Sequence, residues 1–366
     1  MNWKEKLQKP FDLYEISRVR PYLMGIATLW ITLYHCKYLN LFASSFLTRT
    51  RLLGILTRIE TIGNCGVDLF FFLSGLGLYF SYEKLLKSHP HPMKAFYRRR
   101  YRRTLPSILI VTVLTFGMVE KADLANWAGG VFLYGLYWPT LERGNFWFLS
   151  AILVLYLIYP MIHRGIQGKR GTVGTSAMIL GTVALAMILR FASPSYYYGH
   201  ALLMLCRLPV FLLGAWVGKL CLVHRSIPHW IALLSVPGNI LLVILIADVP
   251  LETDARFYEY TVLVPIIALS HAYVFSKFRK NGFLSKTVML IGTYSMEIYL
   301  IFESVYNHGT GLLFNPEETG LVYALTAFAA TLVLAALLKM VVGQLLRGFD
   351  AQGENQAEGM KGSTEG

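Results

Sequence analysis

Charge is scarce in this chain. Only 15% of its 366 residues are Asp, Glu, Lys or Arg, against about a quarter in a soluble globular domain. Hydrophobic residues make up 55% and the mean hydropathy is +0.49, which excludes water as the main solvent. Cysteine is also rare: Cys36, Cys65, Cys206 and Cys221 lack metal-ligand spacing and sit in or beside apolar runs, as small core residues do. No HExxH, GxSxG, Walker-type or CxxC constellation occurs, which argues against zinc peptidase, serine hydrolase and ATPase chemistry. The first 20 residues have no apolar core leading to a small-residue cleavage site, so no removable signal peptide is expected.

What the chain does have is long apolar runs. Ten of them, near 21–39, 63–81, 105–119, 145–163, 173–192, 201–223, 228–247, 258–276, 287–306 and 319–345, approach the length of a spanning helix. The expected fold is an all-α, polytopic transmembrane bundle of about ten spans. Segment 124–140, with Gly129, Gly130, Gly135 and Pro139, reads either as an eleventh span or as a re-entrant hairpin buried in protein. If it does not cross, Lys and Arg concentrate on the segments that lie inside when both termini are cytoplasmic. That threading is preferred and gives a cytoplasmic segment 1–20, a membrane domain 21–346 and a polar, disordered cytoplasmic tail 347–366. The net charge of +13 follows from the same distribution, so membrane lipids are the expected partners and nucleic acid is not. The cell (cytoplasmic) membrane is the expected location, as a multi-pass protein.

Several residues are costly where they stand. His35 closes the run Met24-Gly-Ile-Ala-Thr-Leu-Trp-Ile-Thr-Leu-Tyr-His35; an imidazole in a span is either a packed, hydrogen-bonded residue or a general base. Asp68 stands in Gly66-Val-Asp-Leu-Phe-Phe-Phe-Leu-Ser-Gly75, followed by Gly77. A carboxylate there needs a partner or water, and Ser74, Gly75 and Gly77 permit close helix packing or ligand approach. Five arginines crowd Arg98-Arg99-Arg100-Tyr-Arg102-Arg103 before Pro106, an orientation signal or lipid anchor on one reading and a phosphate site on the other. Arg207, in Arg207-Leu-Pro-Val-Phe-Leu-Leu-Gly214, is expected buried against an acid or a ligand. Glu297 and Glu303, in Tyr294-Ser-Met-Glu-Ile-Tyr-Leu-Ile-Phe-Glu303, are intramembrane acids that need partners.

These segments, together with Asn145-Phe-Trp147-Phe-Leu-Ser150, resemble in order the elements of the acyltransferase-3 family of integral membrane O-acyltransferases. The stretch around Asp68 is the most specific match, being similar to the family signature GVDLFFxxSG. The resemblance implies transfer of an acyl group, chiefly acetyl, from cytoplasmic acetyl-CoA or another acyl-CoA to a hydroxyl of a cell-envelope glycan or related carbohydrate acceptor, with no metal. It implies His35 and Asp68 as the catalytic pair and Arg20, Arg99, Arg102 and Arg103 as the donor-phosphate ligands. Ser74, Trp147, Arg207, Glu297 and Glu303 become substrate-binding or supporting residues. Two positions depart from the pattern: Met24 stands where the family has arginine, and Phe302 where it often has histidine. Arg20 lies one turn before Met24 and only about 60° around the helix from His35, but roughly 22 Å along it. A multi-span transporter or exporter of a small polar metabolite or glycan is the alternative. It predicts an internal inverted repeat, and none is recognisable.

Overall fold

The computed structural model describes residues 9–36, 51–114, 147–248, 253–277, 282–303 and 321–362. The described residues are helical almost throughout. In chain order come strand β1 (Phe11–Asp12) and helices α1 (Tyr14–Arg18), α2 (Arg20–Cys36), α3 (Arg51–Thr61), α4 (Cys65–Ser88), α5 (Pro92–Leu114), α6 (Trp147–Ile166) and α7 (Gly171–Ala192). After short helical turns over 194–205 follow α8 (Leu208–Leu222), strand β2 (Ser226–Ile227), α9 (His229–Asp248), α10 (Thr253–Lys277), α11 (Phe283–Thr293), α12 (Ser295–Glu303) and α13 (Leu321–Gly362).

Among the described residues, seven helices are long and apolar enough to cross a membrane, within α4, α6, α7, Leu202–Leu222, α9, α10 and α13. The other three expected spans also have helices in their places, each differing from a plain apolar rod. The first, α2, has 17 residues. The second, α5, spends its first half on basic residues. The third is divided at Tyr294 between α11 and α12. Segment 124–140, whose crossing decides the threading, lies outside the described residues. Helix α13 continues to Gly362, past residue 346 and into the tail for which composition predicts disorder.

Helix α4 is the hub, because its glycines let neighbouring backbones approach. A methyl group on Gly75 would collide with the Phe211 carbonyl of α8, one on Gly214 with the Phe72 carbonyl of α4, and one on Gly218 would come within 2.9 Å of the Leu76 carbonyl. Small residues at helix crossings gain dispersion contact that lipid cannot supply. On the other flank, Gly25 of α2 sits against the Val288 carbonyl of α11, and Gly292 against the Pro21 carbonyl. Helix α2 is thereby held between α4 and α11. Its two threonines return their hydroxyls to the preceding turn, Thr28 to the Met24 carbonyl and Thr32 to the Thr28 carbonyl, each at 2.9 Å, which satisfies them without an outside partner.

The N-terminal segment is folded onto the bundle. β1 pairs antiparallel with β2, Phe11 opposite Ile227. Leu13 donates its N–H to the Arg225 carbonyl at 3.0 Å, and the Cys221 thiol bonds the Leu13 carbonyl at 3.0 Å. Asp12 meets His224 Nδ1 at 2.7 Å. This clasp sets the point from which α2 starts.

Candidate functional site

Three arrangements collect the costly residues. The first is a buried ion pair between α4 and the turn before α8. Arg207 Nε donates to Asp68 Oδ2 at 3.2 Å, with relative exposures of 2% and 0% for the two residues. Arg207 Nη1 donates to the Leu203 carbonyl at 3.1 Å, and its guanidinium carbon lies 4.0 Å from the Phe257 ring centre and 4.9 Å from that of Trp147. The acid that Arg207 required is therefore Asp68, and Trp147 acts by covering the pair from one side. Asp68 Oδ1 is buried with no hydrogen-bond partner among the described residues. Breaking such a pair strands a charge in an apolar interior, which holds both residues in place even where the pair itself adds little net stability.

The second arrangement is a cavity of about 520 Å³ walled by α2, α4, α5, α6, α11, α12 and α13. Arg20, Arg100, Arg103 and Lys339 reach its lining, with Glu297 as the one acid and Ser74 among the small polar groups. Four cations against one carboxylate give it a positive balance of charge, and guanidinium and ammonium groups match phosphate by charge and, for arginine, by a planar fork of donors. Arg20 Nε is fixed by the Leu73 carbonyl at 3.1 Å, which leaves its terminal nitrogens unspent by that bond. They lie over Gly77, where an added methyl group would stand 2.5 and 2.6 Å from them. Met24 lines the same cavity one turn along α2.

The basic run divides by helical face. Arg100 and Arg103, three apart and so neighbours on one side of α5, line the cavity together with Thr104. Arg99 is exposed outside its lining, and Arg102 turns to α13, donating Nη2 to the Leu346 carbonyl at 3.0 Å. Of the four arginines assigned to the donor, the structure thus brings Arg20 and Arg103 together and adds Arg100 and Lys339. The spacing of Arg100 and Arg103 was present in the sequence; Lys339, from the last helix, had no local signal. Lys339 is held by the Thr293 carbonyl at 2.5 Å and lies 4.1 Å from the Tyr294 ring centre.

The third arrangement surrounds His35 at the far end of α2. Its ring is half-buried, 5.2 Å from that of Tyr34 and 6.0 Å from that of Phe302 on α12. The position that departs from the family pattern is therefore a neighbour of the histidine. Glu297, one turn and a half earlier on the same helix, faces the cavity; the Glu303 side chain lies outside the described residues. No described hydrogen bond joins Asp68 to His35. His163 is buried, with Nε2 3.0 Å from Glu83 Oε1. Among the described residues no group of three His, Cys, Asp or Glu side chains is placed to hold a metal ion.

Compared with known families, the chain matches the acyltransferase domain of the acyltransferase-3 type over residues 22–340, nearly its whole length. No curated protein and no solved structure matches it.

Proposed function

Because the chain belongs to the acyltransferase-3 family, we propose that it takes the acyl group, chiefly acetyl, from cytoplasmic acyl-CoA and transfers it to a hydroxyl of a cell-envelope glycan or related acceptor across the cell membrane. It is an acyltransferase that moves groups other than aminoacyl groups. The observation that carries the finer reading is the cavity with Arg20, Arg100, Arg103 and Lys339, whose charge suits the phosphates of a nucleotide-bearing donor. Arg20 takes the place of the family arginine: Met24 occupies that position, and both side chains open into one cavity.

His35 is the general base in this reading. It lies fifteen residues beyond Arg20 on α2, roughly 22 Å along the helix axis. A donor that places its phosphates at one end and its thioester at the other must be long and flexible, and the pantetheine arm of coenzyme A has that form. In the transfer step His35 takes the proton from the acceptor hydroxyl as its oxygen attacks the thioester carbonyl. A C–O bond forms, the C–S bond breaks, and the departing thiolate receives the proton. Neutral imidazole suits this exchange because its basicity lies near ambient pH. The Asp68 and Arg207 pair braces α4 against α8 beside this path, and Ser74 and Glu297 contact the donor.

The test is label transfer from radiolabelled acetyl-CoA to an envelope extract by membranes carrying the wild type, His35→Ala or Arg103→Ala. Loss of turnover in the first variant and a raised donor KM in the second are expected. Equal label transfer by all three would eliminate the assignment.

A further inference from the structure

The donor cavity closes before it reaches His35. Met24 is the last residue of α2 in its lining. His35 follows eleven residues later, about 20° around the helix from Met24 and roughly 16 Å along it. Helix α4 runs the opposite way, since Gly77 sits against the Arg20 guanidinium and Gly63, just before the helix, against Tyr34. Its lining residue nearest His35 is therefore Phe70. Helix α6 runs alongside α4, with the Trp147 ring 6.3 Å from that of Phe71 and His163 Nε2 3.0 Å from Glu83, so its counterpart is Phe148. On α12 it is Tyr299, three residues before the Phe302 that neighbours His35.

These four side chains make a floor. The Phe70 and Phe148 ring centres are 5.9 Å apart, and those of Phe148 and Tyr299 are 5.4 Å apart with the planes at 72°, which are spacings of rings in contact. A row of three rings thus crosses from α4 over α6 to α12, and Met24 completes it from α2. Phe148 and Tyr299 are half-buried, each with part of its surface on the cavity. Met24, standing where the family has arginine, keeps the floor free of charge. On none of these four helices does the cavity lining continue past the floor toward His35.

A thioester whose phosphates are held at Arg20 has to pass this floor to meet His35. We propose that Phe148 and Tyr299 form the constriction through which the acyl group is presented to His35, and that their rings limit its girth, admitting acetyl and holding back branched acyl groups. This rests on the acyl-CoA reading given above. Acetyl ends in a methyl no wider than the pantetheine chain behind it. Isobutyryl carries a second methyl on the carbon next to the carbonyl, so the rings would have to part further for it.

Membranes carrying the full-length protein would be given an equimolar mixture of acetyl-CoA and isobutyryl-CoA, distinguishably labelled, with an envelope extract. The ratio of the two labels in the product is the ratio of kcat/KM for the two donors, and it does not depend on how much of a variant is folded. The wild type should favour acetyl. Phe148→Leu and Tyr299→Leu should each shift the ratio toward isobutyryl by roughly tenfold or more, the discrimination that a carbon or two commands in an apolar site. Phe71→Leu should keep the wild-type ratio, because that ring packs 5.3 Å from Phe148 but lies outside the cavity lining. A wild type that prefers isobutyryl, an unshifted ratio in Phe148→Leu or Tyr299→Leu, or an equal shift in Phe71→Leu would overturn the constriction and leave the acyl-CoA reading standing. Absence of both labels from the wild-type product would overturn that reading, and the constriction with it.

Discussion

Gly77 is the most discriminating position for testing the proposed donor cavity, because the atoms that crowd it most belong to one flexible side chain. A methyl group there would fall first on the Arg20 guanidinium, 2.5 and 2.6 Å from its terminal nitrogens. In Gly77→Ala the arginine must therefore swing away, while the crossing of α4 and α8 stays intact. Replacing a helical glycine by alanine favours the helix by up to about 1 kcal/mol, so the melting temperature should hold or rise slightly. A hydrogen bond to a charged group contributes about 1.5–3 kcal/mol. Losing Arg20 from the donor should then raise the acetyl-CoA KM roughly ten- to a hundredfold with little change in kcat. Gly75→Ala is the contrast, two residues away. Its methyl group would meet the Phe211 carbonyl and, at 2.8 Å, the Ala215 nitrogen. Backbone does not yield cheaply, so overpacking should lower stability by about 1–3 kcal/mol while the KM of the folded fraction stays near wild type. Steady-state transfer kinetics and thermal unfolding in detergent read both effects. A double-mutant cycle closes the argument: in an Arg20→Ala background, Gly77→Ala should add nothing to KM. A wild-type KM in Gly77→Ala, or full additivity with Arg20→Ala, refutes the placement of Arg20 at the donor.

Three further outcomes follow from the same geometry. His35→Gln should cut turnover by about 10²–10⁴-fold, the usual contribution of a positioned base, while equilibrium binding of a non-transferable coenzyme A analogue stays unchanged; retained turnover would remove His35 from the chemistry. Arg100→Ala should weaken donor binding more than Arg99→Ala, because Arg100 lines the cavity and Arg99 does not, and reversal of that order in binding assays would discredit the cavity. Asp68→Ala or Arg207→Ala alone should destabilise by about 3–5 kcal/mol through the stranded partner, seen in denaturant unfolding. The double variant Asp68→Leu with Arg207→Met should recover part of that loss, and no recovery would argue against the pair.

The membrane character of the chain was legible because hydropathy is a local property, and all seven spanning-length helices coincide with apolar runs read from sequence. The relation of Arg20 to His35 was equally legible, since helical angles follow from spacing alone. The basic run was read less finely: its composition left a lipid anchor and a phosphate site both open, and separating Arg100 and Arg103 from Arg99 and Arg102 requires knowing which face of α5 turns inward. Asp68 and Arg207 were each recognisable as buried charges. Their union was not, because 139 positions separate them and pairing between spans leaves no periodicity in the chain. The same holds for Lys339, which enters the cavity from the last helix.

The clasp formed by the two short strands also governs when the site can exist. Phe11 has to wait for Ile227, so the N-terminal anchor of α2 closes only after 227 of the 366 residues have been made. Even then the seat of α2 lacks Gly292, and the cavity lacks Lys339. During synthesis, Arg20 and His35 therefore enter the bilayer early on a helix that has no fixed neighbours on its far side. A chain truncated between the second strand and the last helix keeps His35 yet has an unfinished cavity, so any activity that depends on that cavity waits until translation is nearly complete.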